Sequence, residues 1–149
     1  MSTQGAKRFP LFVSLEGRRV LVVGAGKIAA RRIGILQQFG AEVWVVAPEK
    51  RADFAADWRQ KAFTADDLTG VFLAVAAADD RQVNHAVAQA CAARGILVSV
   101  ADCAAESTFY FPAICEGGGL TVGLVSDGTA HRAVAQMAKR IRRLMEEST

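Results

Sequence analysis

The chain has 149 residues, of which 52% are hydrophobic and 22% are charged. This length fits one compact domain with a small appendage, and the composition excludes a disordered or fibrous chain. The formal net charge of +3 is too small to indicate a nucleic-acid-binding protein. We therefore expect a folded protein with no nucleic-acid partner.

The cysteines and the hydropathy of the chain indicate where in the cell the protein is found. Cys91, Cys103 and Cys115 form no CxxC pair and have no histidine cluster nearby, so neither a disulfide framework nor a metal site is predicted. The apolar stretch 70–78 is shorter than the ~18 residues of a membrane span, and residues 9–13 are too few for a signal-peptide core. We expect a cytoplasmic protein without a membrane segment.

Strands and helices alternate along the first part of the chain. Residues 19–23 (RVLVV) are a β-branched apolar run that predicts a buried strand before a glycine-rich turn. A helical period over residues 29–39 and the strand-like residues 42–47 follow. This βαβ unit implies a parallel sheet with a right-handed crossover.

The alternation then continues to residue 102. We expect a short helix over residues 52–60, a strand over 71–77, a helix over 80–93 and a fourth strand over 96–101. The predicted fold class is α/β, a Rossmann-like parallel sheet with helices on both faces. We assign residues 1–102 to this Rossmann-like domain.

The pattern changes after Asp102. Strand-like residues 109–114 and 120–125 flank a glycine-rich connection, and a basic helix is expected over residues 130–147. Its positive charge fits either a solvated face or a rim for a polyanionic ligand. Two strands and one helix are too little for an independent core. We therefore expect residues 103–149 to be a dimerisation appendage that a second copy covers in a homodimer.

The turn after the first strand has the pattern GxGxxA from Gly24 to Ala29. Gly24 permits the tight turn, Gly26 lets the backbone approach a pyrophosphate, and Ala29 allows the helix to pack closely on the strand. The helix N-terminus supplies free N–H groups. A glycine turn that only joins strand and helix is the alternative, and the strand–turn–helix–strand context favours dinucleotide binding.

Other candidate residues follow the later strands. Glu49 lies just past the second strand and Arg51 is nearby, which leaves the choice between NAD and NADP open. Ala76 and Ala77 are small enough to leave space for a cofactor, although simple packing against helices is the alternative. Asp102 follows the fourth predicted strand at its carboxyl end, where it could take or hold a proton beside a nicotinamide, approach a metal, or form a turn.

Four segments, in this order, resemble the N-terminal region of siroheme synthase, the family of precorrin-2 dehydrogenases and sirohydrochlorin ferrochelatases. They are FPLF at residues 9–12, VVAP at 45–48, DDRQVN at 79–84 and FPAI at 111–114. The likeness spans about residues 9–143. It implies a Rossmann domain, NAD, an intertwined homodimer and oxidation of precorrin-2 to sirohydrochlorin, with iron insertion at the same site in many members.

The resemblance also implies roles for individual residues. Asp102 matches the family's active-site aspartate and is the predicted catalytic residue. The predicted cofactor-binding residues are Gly24, Ala25, Gly26, Lys27, Ile28, Pro48, Glu49, Ala76 and Ala77. The predicted substrate-binding residues, in the turn before the last helix and at its start, are Ser126, Gly128, His131 and Arg132. No resident metal is predicted.

The chain departs from the family pattern at residues 99–102, which read SVAD where members often have Asn-x-x-Asp, and at residues 126–132, which read SDGTAHR in place of a Ser-Gly-Gly-x-Ser-Pro-like turn. Many members continue with a helical region that helps to cover the cleft, whereas this sequence ends at Thr149. We expect chelation to be more sensitive to that difference than the NAD site. The alternative functions are a non-catalytic NAD- or nucleotide-sensing module and a tetrapyrrole carrier.

Overall fold

The computed structural model describes residues 7–147. These residues fall into two compact units. The larger unit is Val13–Phe109, which we call the nucleotide unit. The second unit joins residues 7–12 and 110–147 of the described chain, and we call it the terminal unit. Among the described residues, no helix is long and apolar enough to cross a membrane.

The nucleotide unit is built on a five-stranded parallel sheet in the order β3-β2-β1-β4-β5. Its elements are β1 (Arg19–Val23), α1 (Lys27–Gln38), β2 (Glu42–Ala47), β3 (Asp57–Gln60), β4 (Leu73–Ala76), α2 (Arg81–Arg94) and β5 (Leu97–Val100). The order reverses beside β1, which leaves a crevice at the carboxyl ends of β1 and β4. This architecture confirms the predicted Rossmann-like α/β fold.

The central strands are apolar along their length because both faces of the sheet are buried. On one face, Val87 and Cys91 of α2 belong to a core cluster with Leu21, Ala74 and Val98 of the sheet. Burial raises the pKa of the Cys91 thiol to about 11, so this cysteine is an inert packing residue. The core therefore holds the strand ends, and the loops that follow them, in fixed positions.

The helix predicted over residues 52–60 is wrong. Asp57–Gln60 is instead the edge strand β3, which pairs in parallel with β2. Trp58 donates from Nε1 to the carbonyl oxygen of Ala47 at 3.0 Å, which ties the new strand to its neighbour. Exposed polar side chains at Asp57 and Gln60 conceal the strand pattern in the sequence. The strand expected to be the fourth is consequently the fifth.

Residues 103–109 cover the opposite edge of the sheet. The side-chain oxygens of Thr108 and Ser107 accept hydrogen bonds from the backbone N–H groups of Val98 and Val100, at 2.9 and 2.8 Å. These bonds satisfy donors that an edge strand would otherwise leave unpaired. For this reason the nucleotide unit extends to Phe109, beyond the boundary expected at residue 102.

The terminal unit contains a hairpin and a helix. β6 (Ala113–Gly117) and β7 (Leu120–Leu124) pair antiparallel, and Gly118 and Gly119 make the turn at φ values of +57° and +77°, which favour glycine. The helix α3 (His131–Glu147) packs on β6. The hairpin and the final helix expected from the sequence are therefore both present.

Candidate active site

The glycine turn between β1 and α1 is shaped by the backbone. Gly24 has a φ of +118°, and a Cβ there would lie 2.3 Å from the carbonyl oxygen of Ala77, so only glycine fits. The N–H of Gly24 donates to the carbonyl oxygen of Val46 at 2.9 Å. This close approach brings the ends of β1, β2 and β4 together beneath the turn.

The first turn of α1 fits a dinucleotide diphosphate. Gly26 is the N-cap of α1, no side chain caps the helix, and its first turn contains no acid. A Cβ at Gly26 would have no neighbour within 4 Å, so the space in front of the helix is open. Free N–H groups and the positive end of the helix dipole therefore point into that space. Ala29 is fully buried, as close packing of α1 on the sheet requires.

An open cleft of about 690 Å³ lies beside this turn, a volume typical of small-molecule sites. The predicted cofactor residues that line it are Gly24, Ala25, Gly26, Lys27, Ile28, Pro48, Glu49 and Ala77. Ala76 is a correction, because it is fully buried in the apolar core beneath the cleft and does not line it. The strand ends at Ala76, and the next residue is the first to reach the cleft.

Several residues that shape the cleft were not predicted from the sequence. The wall of the cleft includes Arg51, which the sequence already indicated, and also Ala62, Phe63, Gln82, Val83 and Ala86, which it did not. Asn84 supports the loop after β4 from below: it is fully buried, and its amide bonds both the N–H and the carbonyl oxygen of Ala78 at 2.9 Å. The sequence offered one signal of this role, because Asn84 is a polar residue on the inner face of the helix predicted over residues 80–93.

Asp80 has two roles in the structure. It is the N-cap of α2, accepting from the N–H of Gln82 at 2.9 Å, and it also lines the cleft. The cap supplies the oxygen acceptor that the first turn of a helix needs. The start of α2 therefore forms part of the wall of the cleft.

Three charged side chains lie at the mouth of the cleft. Arg51 pairs with Glu49 at 2.9 Å and with Asp79 at 3.0 Å. The hydrogen bond to Glu49 is the main cause of a raised pKa at Arg51. All three side chains are exposed, so the pairs contribute little to stability. They do determine the charge at the mouth of the cleft, because the two carboxylates outweigh the single guanidinium and leave an excess of negative charge.

Asp102 lies in the turn after β5, next to the cleft wall. One oxygen, Oδ1, accepts a hydrogen bond from Nη1 of Arg81 at 2.6 Å. Arg81 is the first residue of α2, and its neighbours Asp80 and Gln82 line the cleft. Asp102 itself is not among the lining residues, so the structure places it at the border of the cofactor cleft.

Two further side chains complete the surroundings of Asp102. Glu106 bonds the second nitrogen of the Arg81 guanidinium, and its other oxygen lies 2.7 Å from Nδ1 of His85. The hydrogen bond with His85, together with the charge of Arg81, lowers the pKa of Glu106 below its ordinary value. Nothing in the sequence spacing indicated that these groups would meet.

The predicted substrate-binding residues lie in the terminal unit. Ser126 accepts from the N–H of Gly128 at 3.0 Å through its hydroxyl, and its carbonyl oxygen accepts from Arg8. His131 and Arg132 are the first residues of α3 and are exposed. Their contact with a substrate stays a prediction. Within residues 7–147, no group of three or more histidine, cysteine or acidic residues is arranged to hold a metal ion.

The strand order, the glycine turn and the open helix end define the nucleotide unit as a dinucleotide-binding Rossmann domain. Residues 11–113 match the model of a family described as putative NAD(P)-binding. The chain belongs to this family, in the group formed by the N-terminal region of siroheme synthases.

Individual relatives agree with this assignment. The chain is 41% identical over 145 residues to a probable multifunctional siroheme biosynthesis protein HemA of Ruminiclostridium josui, covering 92% of this chain and 28% of that protein. It is 38% identical over 146 residues to siroheme synthase 1 of Pectobacterium atrosepticum, covering 93% of this chain and 30% of that protein. The chain thus spans less than a third of the length of these curated relatives.

A solved structure is also similar. SirC, described as a precorrin-2 dehydrogenase, superposes on this chain with a TM-score of 0.74 and 30% sequence identity. The match covers 90% of this chain and 69% of SirC. The similarity therefore extends over both units and is not limited to the dinucleotide-binding turn.

Proposed function

We propose that the chain binds NAD in the cleft and oxidises precorrin-2 to sirohydrochlorin, a step of siroheme biosynthesis. The observation that carries this proposal is the uncapped, glycine-lined start of α1, which opens into a large cleft with Asp102 held at its border. The similarity to SirC over 90% of the chain supports the choice of substrate.

The nucleotide unit has a complete set of groups for holding a dinucleotide. The N–H groups at the start of α1, with Gly26 and Lys27, would hold the diphosphate. Pro48 and Glu49 would contact the adenosine side, and the small side chain of Ala77 leaves room above β4. Bound NAD supplies the acceptor for a hydride. The protein's own contribution is to orient the reactants and to exclude water between them.

Asp102 is the group proposed to take the proton. Oxidation of the tetrapyrrole breaks two bonds to hydrogen, so that one hydride and one proton leave the substrate in each turnover. Arg81 occupies one oxygen of Asp102, and the other oxygen is available to accept the proton and pass it to water. Ser126, Gly128, His131 and Arg132 are proposed to contact the substrate.

The charge at the mouth of the cleft favours NAD over NADP. An arginine near the end of β2 is the usual partner of the 2′-phosphate of NADP. Here the charge of Arg51 is balanced by Glu49 and Asp79, so a phosphate would meet two carboxylates beside it. The same arrangement leaves Glu49 close to where a ribose hydroxyl would bind.

We also propose that the protein is a homodimer. The terminal unit exposes Phe9, Leu11, Phe12 and Leu120 by 87, 67, 71 and 65%. Exposed apolar side chains in such number mark an interaction surface, and a second copy of the same unit would cover them with a symmetric interface. A cytoplasmic location stays a prediction from the sequence.

An anaerobic assay with precorrin-2 and NAD tests the proposal. NADH and the sirohydrochlorin spectrum should appear together, and the Asp102→Asn variant should bind NAD but form both products far more slowly. Binding of NAD without turnover in the wild type would contradict the proposal and favour a sensing or carrier role. Ferrous iron added after turnover tests chelation, which would remove the sirohydrochlorin spectrum.

A further inference from the structure

Arg81 connects the start of α2 with the segment that follows β5. Its Nη1 donates to Asp102 at 2.6 Å, and its Nη2 donates to Glu106. We propose that Arg81 is a positioning residue that orients Asp102 for proton transfer, and that Glu106 holds Arg81 in place. This inference rests on the proposed function. We call Arg81, Asp102, Glu106 and His85 the carboxylate clamp.

The guanidinium is fixed because both of its ends are occupied. Arg81 cannot rotate without losing its bond to Asp102 or its bond to Glu106. A planar guanidinium presents its donors in a rigid fork, whereas a lysine ammonium is a single point of charge on a flexible stem. The clamp therefore needs arginine at residue 81 to hold both carboxylates in one arrangement.

Glu106 is itself held from two points on the same helix. Its side chain is the least exposed of the clamp, at 25%, and it bonds Arg81 with one oxygen and His85 with the other. Arg81 and His85 are four residues apart on α2 and so lie on the same helical face. The pKa of Glu106 is lowered, mainly by its hydrogen bond with His85, which agrees with the contact that the geometry shows.

The fold does not require the clamp. Asp80 already caps α2, and backbone bonds such as Glu106 N–H to the Cys103 carbonyl oxygen, at 3.2 Å, close the turn after β5. Partly exposed ion pairs contribute little to stability, because solvent screens them. The clamp is better explained by what it does to Asp102 than by what it adds to stability.

The consequence for Asp102 is a fixed orientation. Its carboxylate is bonded through Oδ1, while Oδ2 has no hydrogen-bond partner within residues 7–147. A proton acceptor that is held in one orientation avoids reorganisation during the reaction. Without Arg81, Asp102 would remain present but would rotate freely, so the rate of turnover should fall while NAD affinity stays the same.

A double-mutant cycle tests this role. Arg81→Gln should lower kcat by about 10- to 100-fold, leave the Kd for NAD within about twofold, and cause no further loss in the Asp102→Asn background, because groups that act as a unit are non-additive. Arg81→Lys should recover part of the rate. Arg94→Gln, at the other end of α2, is the matched control and should keep the wild-type kcat.

A second readout needs no substrate. In the Arg81→Gln variant, the pKa of Glu106, followed by NMR of its carboxyl carbon, should rise part of the way towards the ordinary value, because His85 still bonds Glu106. An unchanged titration would show that Arg81 does not pair with Glu106 in solution and would overturn the proposal. If the losses of kcat caused by Arg81→Gln and by Asp102→Asn simply add in the double variant, Arg81 does not act through Asp102, and the positioning role is overturned. A wild type that binds NAD but makes no sirohydrochlorin would contradict the proposed function and, with it, this inference.

Discussion

The two units of the molecule differ in how completely they bury their apolar residues. In the nucleotide unit, α1, α2 and the five strands enclose a core whose members include Val20, Val22, Ile33 and Val75, all fully buried. In the described part of the terminal unit, Cys115 and Ala138 are the buried apolar residues, and Phe9 and Phe12 are mostly exposed. The nucleotide unit therefore has a core of its own, and the exposed apolar residues of the terminal unit are those that the proposed homodimer would cover.

The two units also differ in their proposed roles. The glycine turn between β1 and α1 is formed by the backbone of a well-packed unit, so it exists before any ligand binds, and its affinity for NAD should not depend on dimerisation. The terminal unit carries the predicted substrate contacts and the apolar surface. We therefore expect cofactor binding and dimerisation to respond to separate substitutions.

The largest effect is expected at Gly26. A Gly26→Asp substitution places a carboxylate in the open space before α1, where the diphosphate would bind, and should weaken NAD binding by more than about 100-fold. The fold should persist, because no atom lies within 4 Å of the new Cβ. Calorimetric titration with NAD measures the change. Gly34→Asp, in the same helix and equally uncrowded, should bind NAD normally.

The next effect is on catalysis alone. Asp102→Asn keeps the size of the side chain but removes the proton acceptor, and should reduce kcat by about 100- to 1,000-fold. The affinity for NAD should stay within about twofold, because Asp102 lies outside the cleft wall. The exposed Asp57, at the start of β3, is the control, and Asp57→Asn should have wild-type kinetics. Equal activity of the two variants would remove Asp102 from the mechanism.

A change in the terminal unit should act on association. Leu120 is 65% exposed, and Leu120→Glu puts a charge into the proposed dimer surface, where an unpaired buried charge is costly. We expect light scattering after size exclusion to show monomers at concentrations where the wild type is dimeric. Leu97→Glu, an exposed leucine of the nucleotide unit, should remain dimeric. A monomeric wild type would contradict the proposed homodimer.

A smaller effect is expected on the choice of cofactor. Replacing Glu49 with Gln and Asp79 with Asn leaves Arg51 unbalanced, and should raise the affinity for NADP by about 10-fold. Adding Arg51→Gln should abolish the gain, because the freed guanidinium is its cause. The measurement is the Kd for NAD and for NADP of the wild type, the double variant and the triple variant. A gain that survives the third substitution would show that Arg51 is not the phosphate partner.

The smallest effect concerns acid stability. The pKa of Glu106 is lowered in the folded protein, so its ionised form stabilises the fold above the ordinary carboxyl pKa, and that contribution disappears as the pH falls through the lowered value. Wild type should therefore exceed Glu106→Gln in Tm at neutral pH, and the difference should shrink in acid. A difference that grows below pH 4 would contradict the sign of this shift.

The dinucleotide-binding turn could be predicted from local sequence patterns. It depends on one short segment, which contains the run RVLVV, the glycine spacing from Gly24 to Ala29 and the helix that follows. Each of these patterns indicates its structure without any distant contact. The edge strand β3 was not predictable in the same way, because its outward side chains are polar and its pairing with β2 is a tertiary contact.

The surroundings of Asp102 could not be predicted for a related reason. Arg81 lies 21 residues before Asp102 and 25 before Glu106, and only the parallel order of β4 and β5 brings the start of α2 beside the turn after β5. A charged residue in the first turn of a helix is common, so its type alone says nothing about a partner. The resemblance indicated Asp102 but not the groups that hold it.

The central claim is that one chain both binds NAD and oxidises precorrin-2. The most direct test is the stoichiometry of a single anaerobic reaction, followed by absorbance of NADH and of sirohydrochlorin at the same time. We predict equal amounts of the two products, formed at equal rates and absent in Gly26→Asp. Sirohydrochlorin formed without NADH, or no sirohydrochlorin from a protein that binds NAD, would contradict the claim.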